Sequence, residues 1–96
     1  MQILNFGSLN FDRTYSVQDF VQAGETISSI NYAEFLGGKG LNQSIALSQA
    51  GCSVYHIGAV GVDGKKLIDL LQNYQVITDF IFTSPMQTGH AIIQIA

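Results

Sequence analysis

The chain has 96 residues, 47% of them hydrophobic and only 11% charged, with a formal net charge of -3 and four Lys and Arg in all. So few cations offer no basic face to a nucleic acid backbone or an anionic membrane, and the single cysteine, Cys52, excludes an internal disulfide and a cysteine-based metal cluster. Apolar content this high, with one proline, is more core material than a free-standing domain of this length needs, which predicts part of a larger core.

Met1 runs directly into QILNFGSLNFD, with no basic n-region, long apolar segment or small-residue cleavage site, and no apolar stretch approaches the length of a membrane span. A cytoplasmic, reducing setting is the expectation. Residues Gln2 to Leu9 (QILNFGSL) mix β-branched and aromatic residues and predict a buried first strand ended by a polar turn at Asn10, Asp12 and Arg13. From Thr14 to Phe35 the residues alternate in short pieces around Ala23-Gly24, with Thr26, Ile27, Ile30, Tyr32 and Phe35 as strand-like material, which reads as an antiparallel hairpin-like excursion.

Leu41, Ile45 and Ser48 then follow at i, i+4 and i+7 before Gly51, so Gly38 to Ala50 is expected to be helical with a glycine stop. Val54 to Val60 is a short apolar run of strand type, followed by a turn, Gly61-Val62-Asp63-Gly64, in which Asp63 is available as an N-cap. Leu67, Leu70, Leu71 and Tyr74 place a second amphipathic helix over Lys65 to Tyr74. Asp79 to Thr83 and Thr88 to Ala96 complete the chain as strands on either side of Ser84-Pro85. The alternation is that of an α/β fold, a parallel sheet with crossover helices interrupted by an antiparallel insert. Three strands covered by two helices leave apolar surface that a complete α/β domain hides on both faces, and the chain stops in mid-strand, so a truncated chain is expected.

Two stretches carry chemistry. In Gly37 to Asn42 (GGKGLN) glycines let backbone N–H groups approach a ligand, and the helix start that follows presents further unpaired donors. This is not a Walker A loop, because Lys39 is followed by Gly40 and Leu41 rather than by Ser or Thr. Asn10-Phe11-Asp12 stands where open α/β sheets place their ligands, and a carboxylate beside a carboxamide suits adjacent hydroxyl groups of a polyol or sugar. A plain glycine-rich turn and an Asx turn are the simpler readings of each stretch alone; their coincidence favours a ligand. His56, His90 and Cys52 are read as core or lid residues rather than metal ligands, and Asp63 and Asp79 as a cap and a solvated turn rather than catalytic groups. Gly58, Gly61 and Gly64 lack the G-x-G start of a dinucleotide loop.

GSLNFD at 7 to 12, AGET at 23 to 26, FLGGKGLNQSIALSQAG at 35 to 51, GAVGVDG at 58 to 64 and TGHAIIQI at 88 to 95, taken in this order, resemble the start of the ribokinase-like carbohydrate kinases of the PfkB family over essentially the whole chain. The resemblance implies a ribokinase-like three-layer, Rossmann-like core with a small β-sheet lid. Residues 1–96 would be the N-terminal part of a single sugar-kinase domain, with lid segments at about 14–35 and 88–96. It assigns sugar contacts to Asn10, Asp12, Gly38, Lys39 and Asn42, with Asp12 on neighbouring ring hydroxyls and Lys39 and Asn42 on other sugar oxygens. Phe11 and Leu41 hold the variable places inside the two motifs, so the identity of the sugar, ribose-like by resemblance, stays open.

The activity implied is phosphoryl transfer from ATP to a sugar hydroxyl, with Mg²⁺ and a monovalent cation as companions and a homodimer formed through the lid. The family's glycine-rich second signature with its catalytic Asp has no counterpart here, so the chain alone is expected to be inactive. A non-catalytic sugar-binding or regulatory protein is the alternative from another class, and a nucleotide-binding domain using Gly58 to Gly64 a third.

Overall fold

The computed structural model describes residues 1–96. In chain order its elements are β1 (Gln2–Phe6), β2 (Asn10–Ser16), β3 (Asn31–Gly37), α1 (Lys39–Gln49), β4 (Ser53–Val60), α2 (Lys65–Asn73), β5 (Ile77–Thr83) and β6 (His90–Ile95). They form two sheets. One is parallel with the order β1-β4-β5; the other has the order β3-β2-β6, antiparallel between β2 and β3 and parallel between β2 and β6.

The parallel sheet follows from its connections: α1 carries the chain into β4 and α2 joins β4 to β5, the crossover geometry parallel neighbours require. α1 packs on β1 and β4, and α2 on β5 and on α1. Beneath them lies one core of Leu9, Phe11, Leu41, Val54, Val60, Leu67, Leu71 and Val76. Leu41, Leu67 and Leu71 are completely buried, and each such leucine contributes about 1.5–3 kcal/mol of hydrophobic stabilisation. The other face of the sheet is bare. Leu4 and Phe6 of β1 and Phe80 and Phe82 of β5 share it with Tyr55 and Ile57 by register, and Phe6 is 80% exposed.

Both helices end in the same motif. After α1, Gly51 takes φ 93° and its N–H reaches Ser48 O while Cys52 N–H reaches Leu47 O; after α2, Gln75 takes φ 63° and its N–H reaches Gln72 O while Val76 N–H reaches Leu71 O. This satisfies the carbonyls a helix end leaves open. The glycine stop of α1 agrees with its sequence, whereas α2 places a glutamine in a conformation that favours glycine.

The second sheet departs from the sequence expectation in its boundaries. β1 ends at Phe6 instead of Leu9, and Asn10 and Asp12 are not in a turn that closes the first strand; they open β2. Gly7 still bonds to Ile57 O, but Ser8 O is taken by Leu41 N–H, so the chain leaves the first sheet there and buries Leu9 in the core on its way to the second. The hairpin therefore begins at Asn10 rather than Thr14. Its connection is longer than expected: Thr26, Ile27 and Ile30 are not in a strand, and the chain regains the ladder only where Ile30 N–H meets Ser16 O. β6 closes the sheet by pairing with β2 over Phe11 to Ser16. No helix is long and apolar enough to cross a membrane.

Candidate functional site

Four glycines decide how the polar end of β2 lies over the start of α1. Gly37, the last residue of β3, sits opposite Asn10 across the ladder, and a Cβ on it would overlap the Asp12 carboxylate, 2.9 Å from Cγ. Gly38, the N-cap of α1, has φ 107°, and a Cβ there would stand 2.6 Å from Ser8 O and 2.7 Å from Asn10 Oδ1. Gly40 meets Gly7 backbone to backbone. The loop therefore has no room for side chains on the side facing β2, and Asn10 and Asp12 occupy that space. Asn10 Nδ2 donates to Asp12 Oδ1 at 3.0 Å, which fixes the carboxylate beside the glycines.

The structure thus brings together Asn10, Asp12 and Gly38. Lys39 and Asn42 are on the first turn of α1, both exposed, with side chains in no hydrogen bond or ion pair, so neither is joined to Asn10 or Asp12. The nearby cation Arg13 is engaged elsewhere, with Glu34 at 3.6 Å, and Lys66 approaches the same carboxylate at 3.9 Å. One carboxylate with a carboxamide and one uncommitted ammonium therefore flank a loop of bare backbone. Chemically, that set can accept and donate hydrogen bonds to several hydroxyl groups at once. The surface is open: a cleft of 380 Å³ involving Tyr15, Val17, Val21, Ile27 and Ile92 is on the opposite face of the second sheet.

Behind the loop is a polar chain that sequence reasoning missed. His56 and Ser44 are completely buried, and Asn5 is half-buried between them and the first turn of α1. His56 Nε2 is 3.1 Å from Gly7 O. A carbonyl can only accept, so Nε2 carries the proton and Nδ1 accepts from the Ser44 hydroxyl at 2.6 Å. Ser44 Oγ in turn accepts from Asn5 Nδ2 at 2.9 Å, and the same amide donates to Gly40 O at 3.0 Å. Burial holds the His56 pKa below its ordinary value, against the opposing Gly7 contact, and so favours the neutral ring this chain needs. The available signal was joint: a polar residue at an inward-facing position on each of three neighbouring elements.

The turn after β4 differs from its expected role. Asp63 does not cap α2, whose N-cap is Gly64 without a side-chain bond. Its Oδ1 instead accepts Thr88 N–H at 2.7 Å, while Thr88 Oγ1 accepts Gly61 N–H at 2.8 Å. The contacts with Thr88 hold the Asp63 carboxyl below its ordinary value. Gly61 and Gly64 are packed against the Met86–Thr88 backbone and Val60, so these glycines serve close packing of the turn. Cys52 is half-buried at the core margin, His90 is exposed on β6, and Asp79 is an exposed residue within β5 rather than a turn. No three His, Cys, Asp or Glu side chains converge on a point that could hold a metal ion. No part of a phosphoryl-transfer step is assigned to these residues.

The profile of the pfkB family carbohydrate kinases matches residues 2–96. The ribokinase of Haemophilus influenzae is 39% identical over 93 residues, covering 94% of this chain and 30% of that protein; the ribokinase of Bacillus subtilis is 32% identical over 77 residues, covering 78% and 26%. Among solved structures, ribokinase from Cryptococcus neoformans in complex with ADP superimposes with a TM-score of 0.90 at 38% identity, over 97% of this chain and 30% of that one. Ribokinase from Arabidopsis thaliana complexed with ribose and ATP gives 0.83 at 28%, over 97% and 31%. The chain spans under a third of the length of these relatives. A match that runs through residues 2–96 in both sequence and fold means that the chain belongs to the pfkB family of carbohydrate kinases, with a ribokinase-like α/β architecture.

Proposed function

We propose that this chain forms the sugar-binding part of an ATP-dependent carbohydrate kinase with a ribose-like substrate. The observation that carries the reading is the Asp12 carboxylate, tied by Asn10 and laid against Gly37, with Asn10 itself against Gly38, in a chain whose relatives include ribokinases. Asp12 accepts hydrogen bonds from neighbouring ring hydroxyls, Asn10 orients it, and Lys39 and Asn42 donate to other sugar oxygens. Gly38 lets the backbone come close to the ring. Solved relatives that hold ADP, or ribose with ATP, support nucleotide and sugar use by the whole protein.

ATP and Mg²⁺ supply the phosphoryl group and its charge neutralisation; a monovalent cation assists, and residues outside this chain hold all three. The second sheet acts as the lid, its segments at about 14–35 and 88–96 closing over the sugar. Two copies associate through it in the cytoplasm, because the outer edges of β3 and β6 are unpaired and Tyr32, Phe35 and Ile92 are exposed beside them.

Calorimetric titration of the full-length protein with ribose tests the reading. Asp12→Ala and Lys39→Ala are each expected to weaken binding about ten- to a hundredfold, the range for a hydrogen bond to a charged group. Unchanged affinity in both variants would remove the assignment. ATP consumption by the 96-residue chain with ribose is expected to stay at background, and turnover would contradict its role as a binding part only.

A further inference from the structure

Asn5 of β1, Ser44 of α1 and His56 of β4 form a single hydrogen-bonded chain directly behind the Gly-Lys-Gly loop. We propose that this chain is a positioning device for Lys39 and Asn42, fixing the depth and rotation of the first turn of α1 so that both side chains face the ligand. The proposal rests on the reading of Lys39 and Asn42 as sugar contacts. The attachment points support it. Asn5 grips Gly40 O, the residue between Lys39 and Leu41, so the tie acts on the loop itself. Ser44 is one turn further along the same helix, and His56 joins it to Gly7 O, whose residue is in backbone contact with Gly40. Three elements are thereby locked to one short stretch of backbone.

Stability alone does not account for such a chain. Buried, fully satisfied polar groups return little net stability compared with apolar groups of the same shape, whereas apolar packing at this place would allow the helix to slide and turn. The donors and acceptors here run in one direction only, from the Asn5 amide through the Ser44 hydroxyl and the His56 ring to the Gly7 carbonyl, and that order admits one geometry.

The chain needs a neutral ring, since an imidazolium has no acceptor for the Ser44 hydroxyl. No carboxylate is placed to hold a charged ring. β1 has no ionisable side chain, α1 has only the exposed Lys39, and β4 has otherwise Tyr55, which faces the opposite side of the sheet. Lys65, Lys66 and Asp69 of α2 and Asp79 of β5 make no bond to His56, and Lys65 pairs with Asp69. Burial lowers the folded pKa of His56 from the ordinary 6.5. The chain is therefore intact above about 6.5 and is lost as the pH falls through the lowered folded value.

The test uses the full-length protein, with two readouts from pH 7.5 down to the lowest pH at which it stays folded: hydrogen exchange of peptides covering residues 37–44, corrected for the intrinsic rate, and ribose affinity by calorimetry. Ser44→Ala at pH 7.5 is expected to raise exchange in that segment and to weaken ribose binding about tenfold, the scale of coupling through a neighbouring layer. The wild type is expected to show both changes on acidification. The triple variant Asn5→Leu, Ser44→Ala, His56→Phe, which removes every side-chain member of the chain and leaves only the Gly7 carbonyl without its donor, is expected to lose little of its melting temperature, bind ribose weakly and show no change with pH.

A fall in melting temperature for Ser44→Ala with exchange at 37–44 and ribose affinity both unchanged would overturn the proposal, as would wild-type affinity in the triple variant. If the wild type binds no ribose but exchange at 37–44 still follows pH and Ser44→Ala, the sugar reading fails while the positioning of the loop holds, so the two failures are distinguishable.

Discussion

Gly7 and Gly40 touch without a side chain between them: a Cβ on Gly7 would stand 2.7 Å from Gly40 Cα, and one on Gly40 would overlap Gly7. The contact sets the amino end of α1 against the carboxyl end of β1, and the candidate site is built on that junction. Gly40→Ala is expected to destabilise the protein by about 1–3 kcal/mol, the usual cost of overpacking, despite the better helix propensity of alanine. Urea denaturation checks this; a variant as stable as the wild type would mean that the two backbones separate freely.

Gly37 and Asp12 offer a second, sharper test. A methyl group at 37 competes with the carboxylate for one space. Gly37→Ala should therefore destabilise the protein, and removing the carboxylate with Asp12→Ala should relieve most of that loss, so that the pair is non-additive by about 1 kcal/mol or more in a double-mutant cycle. Ribose affinity should stay low in the double variant, which separates the repair of packing from the repair of binding.

Thr88 is the acceptor for a buried backbone donor, Gly61 N–H. Thr88→Val keeps the shape and strands that donor, with an expected loss of about 1–3 kcal/mol; Thr88→Ser should restore most of it. Asp63 acts on the same clip with a pH signature. Its carboxyl is held below the ordinary 3.8 chiefly by Thr88, so the contact is at full strength above about 3.8 and is lost as the pH falls through the lowered value. Thermal melts between pH 6 and 2.5, compared with Asp63→Asn, should show the wild type losing its advantage over that variant at the acid end.

Gln75 ends α2 with φ 63°, a conformation that costs a residue with a side chain about 1–2 kcal/mol. Gln75→Gly is expected to raise stability by up to about 1 kcal/mol, after the larger entropy of the unfolded glycine is counted. Gly51→Ala, at the equivalent position after α1, should lower it. A pair of melting curves settles both signs.

The helices were the most legible part of the sequence. Leu67 and Leu71 report a buried face by spacing alone, and Gly51 marks the stop of α1 because its positive φ is a local requirement. Gln75 carries no such mark, since the carbonyls of α2 are satisfied whatever residue accepts the strain. The division into two sheets was less legible. Gly7, Ser8 and Leu9 continue an apolar text, and nothing local says that Ser8 O will be claimed by Leu41 N–H, 33 residues later, and turn the chain away. Asp63 was misread for the same reason: a carboxylate before a helix fits a cap, but the Thr88 N–H that takes it comes from the connection before β6, 25 residues later. In the candidate site Asn10, Asp12 and Gly38 could be named from their motifs, whereas Asn5, Ser44 and His56 each pass singly for an ordinary element residue.

Phe11 is 3% exposed within the shared core, and Asp12 is the very next residue on the same strand. The buried ring makes a natural fulcrum, so the second sheet is a lever whose short arm carries the carboxylate. With a rise of about 3.4 Å per residue, a tilt of about 20° about Phe11 would shift Asp12 by only about 1 Å and Ser16 by about 6 Å. The outer end of the sheet could thus swing widely while the Asp12 carboxylate keeps its station.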